Sequence, residues 1–356
     1  MDGRCATVER WIPRGFLPIV SRVRAAIVLL ACIALGCGSE APPSDPVGSK
    51  DAATPSEDSA LPSEDSGTPN VTVPVAAGPD PTFASAIYTS AKQKFTVGKI
   101  GDAIDAVLVA RPATDHVILF VHGRACGGGG EPDKSLAGSV PELEQAKGAS
   151  VLLFYWPGSD DACPAGFPES RALDAGPALR FALARVQTWA QGHASTKAKL
   201  GFSLLTHSMG NIVLESALSP GTTGLSSSLF GTAILNSSAT ALAKHAPWLA
   251  KLDFATQVYV TVNDGDKVLL AAGLGRGTRL GKALDAEPLT SRAAYVDFSA
   301  AGVNHQYYVP SGQKGVHLGD FYGAVLAGKP YPLSTSTAIT STKSRDGATI
   351  WVFDGK

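Results

Sequence analysis

The chain has 356 residues, 44% of them hydrophobic, which is enough apolar material for one large domain or two ordinary ones. Its 30 Lys and Arg residues stand against 31 Asp and Glu residues, so the formal net charge is only -1. That balance excludes the global basic field that nucleic-acid binding requires, and we expect no nucleic-acid partner.

The first segment, residues 1–36, is typical of a bacterial secretion signal, because several arginines precede an apolar run at 25–36. A transmembrane anchor is the weaker interpretation, since a helix needs roughly 20 residues to cross a bilayer core of about 30 Å. The run ends in A-L-G-C at Cys37 and resembles the lipobox of bacterial lipoproteins, whose cysteine is lipidated. Cys32, in L-L-A-C, is the alternative lipidation site, and a soluble secreted protein is the other alternative.

Residues 37–76 are mostly Pro, Ser, Asp, Glu, Ala and Gly, with few large apolar side chains. Such a segment cannot bury enough surface to offset the entropy of ordering it. We expect a disordered tether that holds a folded domain, residues 77–356, away from a membrane.

From residue 77 onward, apolar runs of strand length alternate with helical patterns. A helical stripe is marked by Leu179, Leu183, Val186 and Ala190. This alternation predicts an α/β fold with a doubly wound, mostly parallel sheet, and Asp346-Gly347 between two β-prone arms predicts a C-terminal hairpin. The expected strands are 104–110, 117–121, 151–156, 200–206, 232–235, 258–262 and 294–298.

The strongest chemical signal is Ser208, at the point where an apolar strand ends and an amphipathic helix begins. A tight strand-turn-helix elbow exposes a serine hydroxyl above the sheet, and it requires small residues two positions before and after the serine. Gly210 meets that requirement, whereas Thr206 replaces the usual first glycine. A serine that only caps a helix is the structural alternative.

A second motif, F-V-H-G at residues 120–123, follows another predicted strand and leads into the run G-G-G-G. Together with F-Y-W-P at 154–157 and H-S-M-G-N at 207–211, it resembles an uncharacterised bacterial branch of the α/β-hydrolase superfamily. The resemblance covers residues 104 to 326 and implies the α/β-hydrolase fold. It also implies an oxyanion hole formed by the backbone N–H groups of Met209 and Arg124, with Ala125 as a further possibility.

The superfamily presents its triad in the order Ser, Asp or Glu, His, and both later members have candidates here. The segment N-D-G-D-K-V-L after the strand at 258–262 offers Asp266, favoured because an apolar pair follows it, and Asp264 as the alternative. His305 follows the last predicted strand and is the favoured base, and His317 is the alternative.

The resemblance therefore implies a serine esterase or lipase-like acyl hydrolase that acts on small-molecule or lipid esters through an acyl-enzyme. The sequence offers no coherent metal-ligand cluster and indicates no cofactor. Two alternatives stay open: a catalytically silent surface lipoprotein that uses the fold for binding, and a hydrolase that acts on peptides. We expect His122 and His207 to support the site through hydrogen bonds, and segments 221–229 and 239–251 are candidates for a cap over it.

Two cysteines, Cys126 and Cys163, lie beyond the signal and tether. Both follow predicted strands whose carboxyl ends share one edge of the sheet, and an exported protein meets an oxidising compartment. We therefore predict a disulfide between them, with two separately buried thiols as the alternative.

Overall fold

The computed structural model describes residues 80–124, 132–158, 167–220, 224–284, 287–313 and 315–354. The signal and tether segments, with Cys37, lie outside the described residues, as do Ala125, Cys126 and Cys163. Lipidation and the disulfide therefore remain predictions. No helix in the described ranges is both long and apolar enough to span a bilayer.

One sheet of ten strands organises the described residues, in the order β2-β1-β4-β3-β5-β6-β7-β8-β10-β9. The central strands from β4 to β8 are parallel, and β1 joins them antiparallel to β4. The strands are β1 (Ala86–Thr89), β2 (Lys94–Thr96), β3 (His116–Val121), β4 (Ser150–Tyr155), β5 (Gly201–His207), β6 (Phe230–Asn236), β7 (Ala255–Val262), β8 (Ala293–Asp297), β9 (Ile339–Arg345) and β10 (Ala348–Phe353).

Helices cover both faces of this sheet, because its central strands are apolar on both sides. The buried side chains accordingly form two clusters, one on each face. The α-helices are α1 (Ile100–Ala110), α2 (Asp133–Ala137), α3 (Ser139–Lys147), α4 (Glu169–Asp174), α5 (Gly176–Gly192), α6 (Ala194–Lys197), α7 (Gly210–Leu218), α8 (His245–Leu249), α9 (Lys267–Gly273) and α10 (Val316–Leu326). The predicted fold class, a doubly wound and mostly parallel α/β sheet, is confirmed.

One predicted strand was wrong: residues 104–110 belong to helix α1. Its buried side chains, Ile100, Ala103, Ile104 and Val107, recur at helical spacing, while Val109 is 82% exposed. The segment is apolar in composition, but only one of its faces is buried, which suits a helix packed on a sheet rather than a strand buried on both sides.

The C-terminal hairpin forms as predicted, with Asp346 and Gly347 both at positive φ in the turn between β9 and β10. The sequence did not indicate that β10 would extend the central sheet by pairing in parallel with β8. It also gave no sign of the short hairpin of β1 and β2 at the opposite edge.

Helix α10 fits closely against the amino ends of β5 and β6. The Ser203 hydroxyl donates to the Leu326 carbonyl at 2.8 Å, and the Thr232 hydroxyl donates to the Val325 carbonyl, so polar groups at the helix end are satisfied by the sheet. A Cβ atom placed on Gly231 would lie only 2.0 Å from the Gly328 carbonyl oxygen. The backbone of this helix end therefore occupies the space that a side chain would need.

We expect Gly231→Ala to lower the free energy of unfolding by about 1–3 kcal/mol, the usual cost of overpacking a well-filled site. Chemical denaturation followed by circular dichroism measures the change. Gly192→Ala is the matched control, because nothing lies within 4 Å of a Cβ atom there and alanine favours a helix. Equal stability of the two variants would contradict the close packing of α10 on the sheet.

Candidate active site

Ser208 occupies a strained turn between β5 and α7, with φ at 52° in the left-handed region that non-glycine residues rarely adopt. Such a conformation costs about 1–3 kcal/mol and persists only where surrounding contacts impose it. Here the Ser208 N–H donates to the Asn236 carbonyl at 3.0 Å, and the Ser208 carbonyl accepts from the N–H groups of Asn211 and Ala239. The turn is thus tied to β6 and to α7.

Two glycines allow the strands and the helix to approach this turn. A Cβ atom on Gly210 would lie 2.4 Å from the Val121 carbonyl oxygen at the end of β3. A Cβ atom on Gly123 would lie 2.9 Å from the Cβ atom of Ser208. The elbow and the loop after β3 are therefore in direct contact, and neither position has room for a side chain.

Thr206, which stands where a glycine is usual, is accommodated by a buried hydrogen-bond network. Its hydroxyl donates to Asn211 Oδ1 at 2.7 Å. The amide of Asn211 in turn donates to the Ser208 carbonyl at 3.0 Å and lies 3.3 Å from the Asn236 carbonyl. Thr206 and Asn211 together hold the backbone of the elbow, a role that the sequence motif did not reveal.

Asp266 lies at the carboxyl end of the sheet, after β7, and uses its two carboxylate oxygens for different partners. Oδ1 accepts from the N–H groups of Val268 and Leu269, at 2.9 and 3.0 Å, and so caps helix α9. Oδ2 accepts from His305 Nδ1 at 2.7 Å. The carboxylate side chain is fully buried, so both contacts are shielded from water.

The backbone of His305 is fixed as firmly as its ring. The His305 carbonyl accepts from Ser237 Oγ at 2.9 Å and from His207 Nε2 at 3.2 Å. The rings of His207 and His305 lie 4.7 Å apart between centroids. With Nδ1 held by Asp266, the opposite nitrogen of His305 is the one left for exchange with a substrate or nucleophile.

His207 is held in its neutral form. Its pKa is lowered well below 6.5, first by burial and then by the charge of His305. A neutral ring with a proton on Nε2 is the form that can donate to the His305 carbonyl. His207 therefore supports His305 without placing a second positive charge beside it.

The loop after β3 is anchored by His122, which Trp156 contacts twice. The Trp156 N–H donates to His122 Nε2 at 3.2 Å, and the Trp156 indole N–H donates to the His122 carbonyl at 2.9 Å. The other ring nitrogen of His122 donates to the Gly123 carbonyl at 2.5 Å. These bonds fix the backbone just before Arg124, the residue for which the sequence predicts an oxyanion-hole amide.

The two alternative residues face elsewhere. Asp264 is exposed. Its backbone N–H donates to the Ser299 hydroxyl, and its carbonyl accepts from the Lys282 ammonium. His317, at the start of α10, lies 3.8 Å from Asp354 near the C-terminus. Among the four candidates for acid and base, the structure brings Asp266 and His305 together.

A cavity of about 620 Å³ opens over Ser208 and His305, within the usual size range of ligand pockets. Met209 and Arg124 line the same cavity, so the residues predicted for the nucleophile, base and oxyanion hole share it. Within the ranges described, no residue of the two expected cap segments lines the cavity. Helix α9 and the turn after it form that wall instead, through Lys267, Val268, Ala271, Ala272, Leu274 and Arg276, a role that sequence reasoning missed.

Helix α9 could have been suspected from its composition, because K-V-L-L-A-A-G-L places several apolar residues where a surface helix usually carries polar ones. Val268, Leu270 and Leu274 are indeed exposed. Phe167, which lines the same cavity, follows a segment outside the described residues and had no sequence signal. In the ranges described, no group of three His, Cys, Asp or Glu residues is arranged to hold a metal ion.

No family model matches the chain, and no curated protein matches it. Among solved structures, an esterase from Pyrobaculum calidifontis is 15% identical with a TM-score of 0.30, over 61% of this chain and 77% of that one. An α/β serine hydrolase without a lid from Xanthomonas campestris is 18% identical with a TM-score of 0.31, over 61% and 82%. A Rhizomucor miehei esterase is 13% identical with a TM-score of 0.35, over 62% and 74%. By its own strand order, flanking helices and serine elbow, the described part of the chain has the α/β-hydrolase fold.

Proposed function

We propose that the chain is a serine hydrolase that cleaves carboxylic esters, with Ser208 as nucleophile, His305 as general base and Asp266 as the orienting acid. The contact between Asp266 Oδ2 and His305 Nδ1, at 2.7 Å beside a strained Ser208, carries this proposal. A serine in a left-handed turn, a histidine held by a buried carboxylate and a shared cavity are the parts that acyl transfer requires.

In the proposed reaction, His305 Nε2 removes the proton of the Ser208 hydroxyl as its oxygen attacks the ester carbonyl. The backbone N–H groups of Met209 and Arg124 stabilise the oxyanion that forms. The tetrahedral intermediate collapses, the C–O bond to the alcohol breaks, and His305 returns the proton to the departing alcohol. Water then attacks the acyl-enzyme by the same route and releases the acid.

Asp266 gives His305 the correct tautomer and stabilises the imidazolium that forms during both steps. Its burial favours this role, since a hydrogen bond between opposite charges is stronger away from water. The neutral state of His207 serves the same end, because a second cation against the His305 ring would oppose its protonation.

Attachment to a membrane is a separate part of the proposal. The basic and apolar N-terminal segment that ends at Cys37, followed by a polar stretch of about forty residues, supports an exported lipoprotein held at an outer membrane or cell surface. The hydrolase domain would then reach ester substrates near that surface.

We expect Ser208→Ala to abolish both labelling by a fluorophosphonate probe and hydrolysis of 4-nitrophenyl esters, because the hydroxyl oxygen is the attacking atom. The unfolding temperature of the variant should equal or exceed that of the parent protein, since the substitution removes only the hydroxyl oxygen. Ser219→Ala, at the exposed far end of α7, is the control and should keep full activity. Hydrolysis at the parent rate by Ser208→Ala would refute the mechanism, and an unlabelled, inactive parent would favour the binding-module alternative.

We expect Asp266→Asn to lower kcat by about 10³- to 10⁴-fold, because an amide N–H facing His305 Nδ1 forces the wrong imidazole tautomer. Asp264→Asn should change kcat less than about threefold, since Asp264 is exposed and bonds through its backbone. Steady-state kinetics with one 4-nitrophenyl ester compares the two variants directly. Similar, small effects of both substitutions would place the acid elsewhere.

We expect Cys37→Ser in the full chain to leave the protein unprocessed or to release it from membranes. Two or more acyl chains anchor a protein stably, whereas a protein that lacks them has no such attachment. Fractionation of cells followed by intact-mass measurement distinguishes lipidated from unmodified protein. Cys32→Ser is the matched control, and a processed, membrane-bound Cys37→Ser protein would exclude Cys37 as the anchor.

A further inference from the structure

The charged side chains that line the cavity over Ser208 carry only positive charge, apart from the two histidines. They are Arg124, Lys267 and Arg276, and among the described lining residues there is no carboxylate. Asp266, the nearest acid in sequence to Lys267, is fully buried and bonded to His305 and to helix α9. The described part of this lining therefore has cationic side chains and no anionic ones.

Two of these cations are available to a ligand. Lys267 and Arg276 are both exposed, and neither has a carboxylate partner within 4 Å among the residues that the structure describes. Unpaired cations are common on protein surfaces, where water surrounds them. These two differ because both line the concave wall that also contains Ser208.

Arg276 is held in this position by an aromatic contact. Its guanidinium lies 4.9 Å from the centroid of Phe167, and that of Arg279 lies 5.1 Å from the same ring. Arg279 is buried and donates to the carbonyls of Ala239 and Ala272, so it secures the end of α9 and cannot reach outward. Two nearby acids, Glu169 and Glu215, interact electrostatically with Arg279.

The same wall is apolar between the two cations. Val268, Ala271, Ala272 and Leu274 line it, and Val268 and Leu274 are 47% and 71% exposed. Exposed apolar side chains in a concave site are typical of surfaces that a ligand covers. The wall thus offers an apolar surface about one short helix long, with a positive charge at each end.

We propose that the preferred substrate is an ester that also bears an anionic group, bound by Arg276, while its apolar part lies against Val268 and Leu274. The inference rests on the proposed esterase function and adds to it a class of substrate. The anionic group can belong to the acid part or to the alcohol part of the ester. A carboxylate serves as the anionic group in the test esters.

Two matched pairs of esters test the proposal on the exported domain with its tether. For the acid part, mono-4-nitrophenyl adipate is compared with 4-nitrophenyl hexanoate, which has the same number of acyl carbons and lacks the carboxylate. For the alcohol part, 4-(hexanoyloxy)benzoate is compared with its methyl ester, and release of the phenol is followed. The ratio of kcat/KM between anionic and neutral members removes any general effect of a substitution on catalysis.

We expect the anionic member of one pair to be preferred by up to about fivefold, since an exposed ion pair contributes up to about 1 kcal/mol. Arg276→Gln should abolish most of that preference, whereas Arg276→Lys, which keeps the charge, should retain it. Raising the ionic strength should reduce the preference in the parent protein. Lys199→Gln is the control and should leave the ratio unchanged. Lys199 is exposed and lies just before the amino end of β5, whereas the cavity lies at the carboxyl ends of the strands.

The absence of a preference for the anionic ester in both pairs, or an unchanged ratio in Arg276→Gln, would overturn the inference and leave the esterase function standing. Failure to cleave any of the four esters, together with no labelling by a fluorophosphonate, would overturn the esterase function and this inference with it. The two failures are therefore distinguishable.

Discussion

The rest of the site depends on the buried carboxylate of Asp266, whose two oxygens bind different partners. One carboxylate oxygen caps helix α9 and the other holds His305. The helix that forms the cavity wall and the histidine that lines the cavity are thus positioned by the same buried group. A change that moved this carboxylate would shift His305 and the cavity wall together, because both share a single anchor.

The second constraint is the space at the carboxyl ends of β3 and β5. Gly123 and Gly210 bring the loop after β3 against the elbow, and neither position admits a Cβ atom without a backbone shift. The Ser208 carbonyl accepts from Asn211, and the Ser208 N–H donates to the Asn236 carbonyl, so the cost of the strained conformation is offset by these hydrogen bonds. Preorganisation of this kind allows a hydroxyl to be presented to a substrate without reorganisation during the reaction.

The wall formed by α9 gives the site its chemical character. Most short surface helices carry their apolar residues inward, but α9 and the turn after it expose Val268 and Leu274, both of which line the cavity. Such exposure is unfavourable in water and suits a surface that a bound molecule covers. The guanidinium of Arg276, 4.9 Å from the Phe167 ring centroid, adds a positive charge to that surface, and the proposed specificity follows from this pairing of charge and apolar area.

Local patterns along the chain determined the fold class, because strands buried on both faces of a parallel sheet must be continuously apolar. Six of the seven predicted strands are present, and the exception, helix α1, has an apolar composition but a helical spacing of buried residues. Ser208, Asp266 and His305 were also predicted from their positions after strands, since residues at the carboxyl edge of a parallel sheet lie close together. The tertiary structure decides which aspartate faces the histidine, because Asp264 and Asp266 are only two residues apart and Asp266 alone caps α9.

The sequence by itself thus determined the class of fold and the set of residues from which a site could be built. The tertiary structure decided which of them meet, that β10 extends the sheet beside β8, and that α9 rather than either expected cap segment lines the cavity. These outcomes depend on contacts between residues far apart in the chain, such as Phe167 with Arg276, or Ser237 with His305. Local periodicity reports which face of an element is buried, and it carries no information about the partner that buries it.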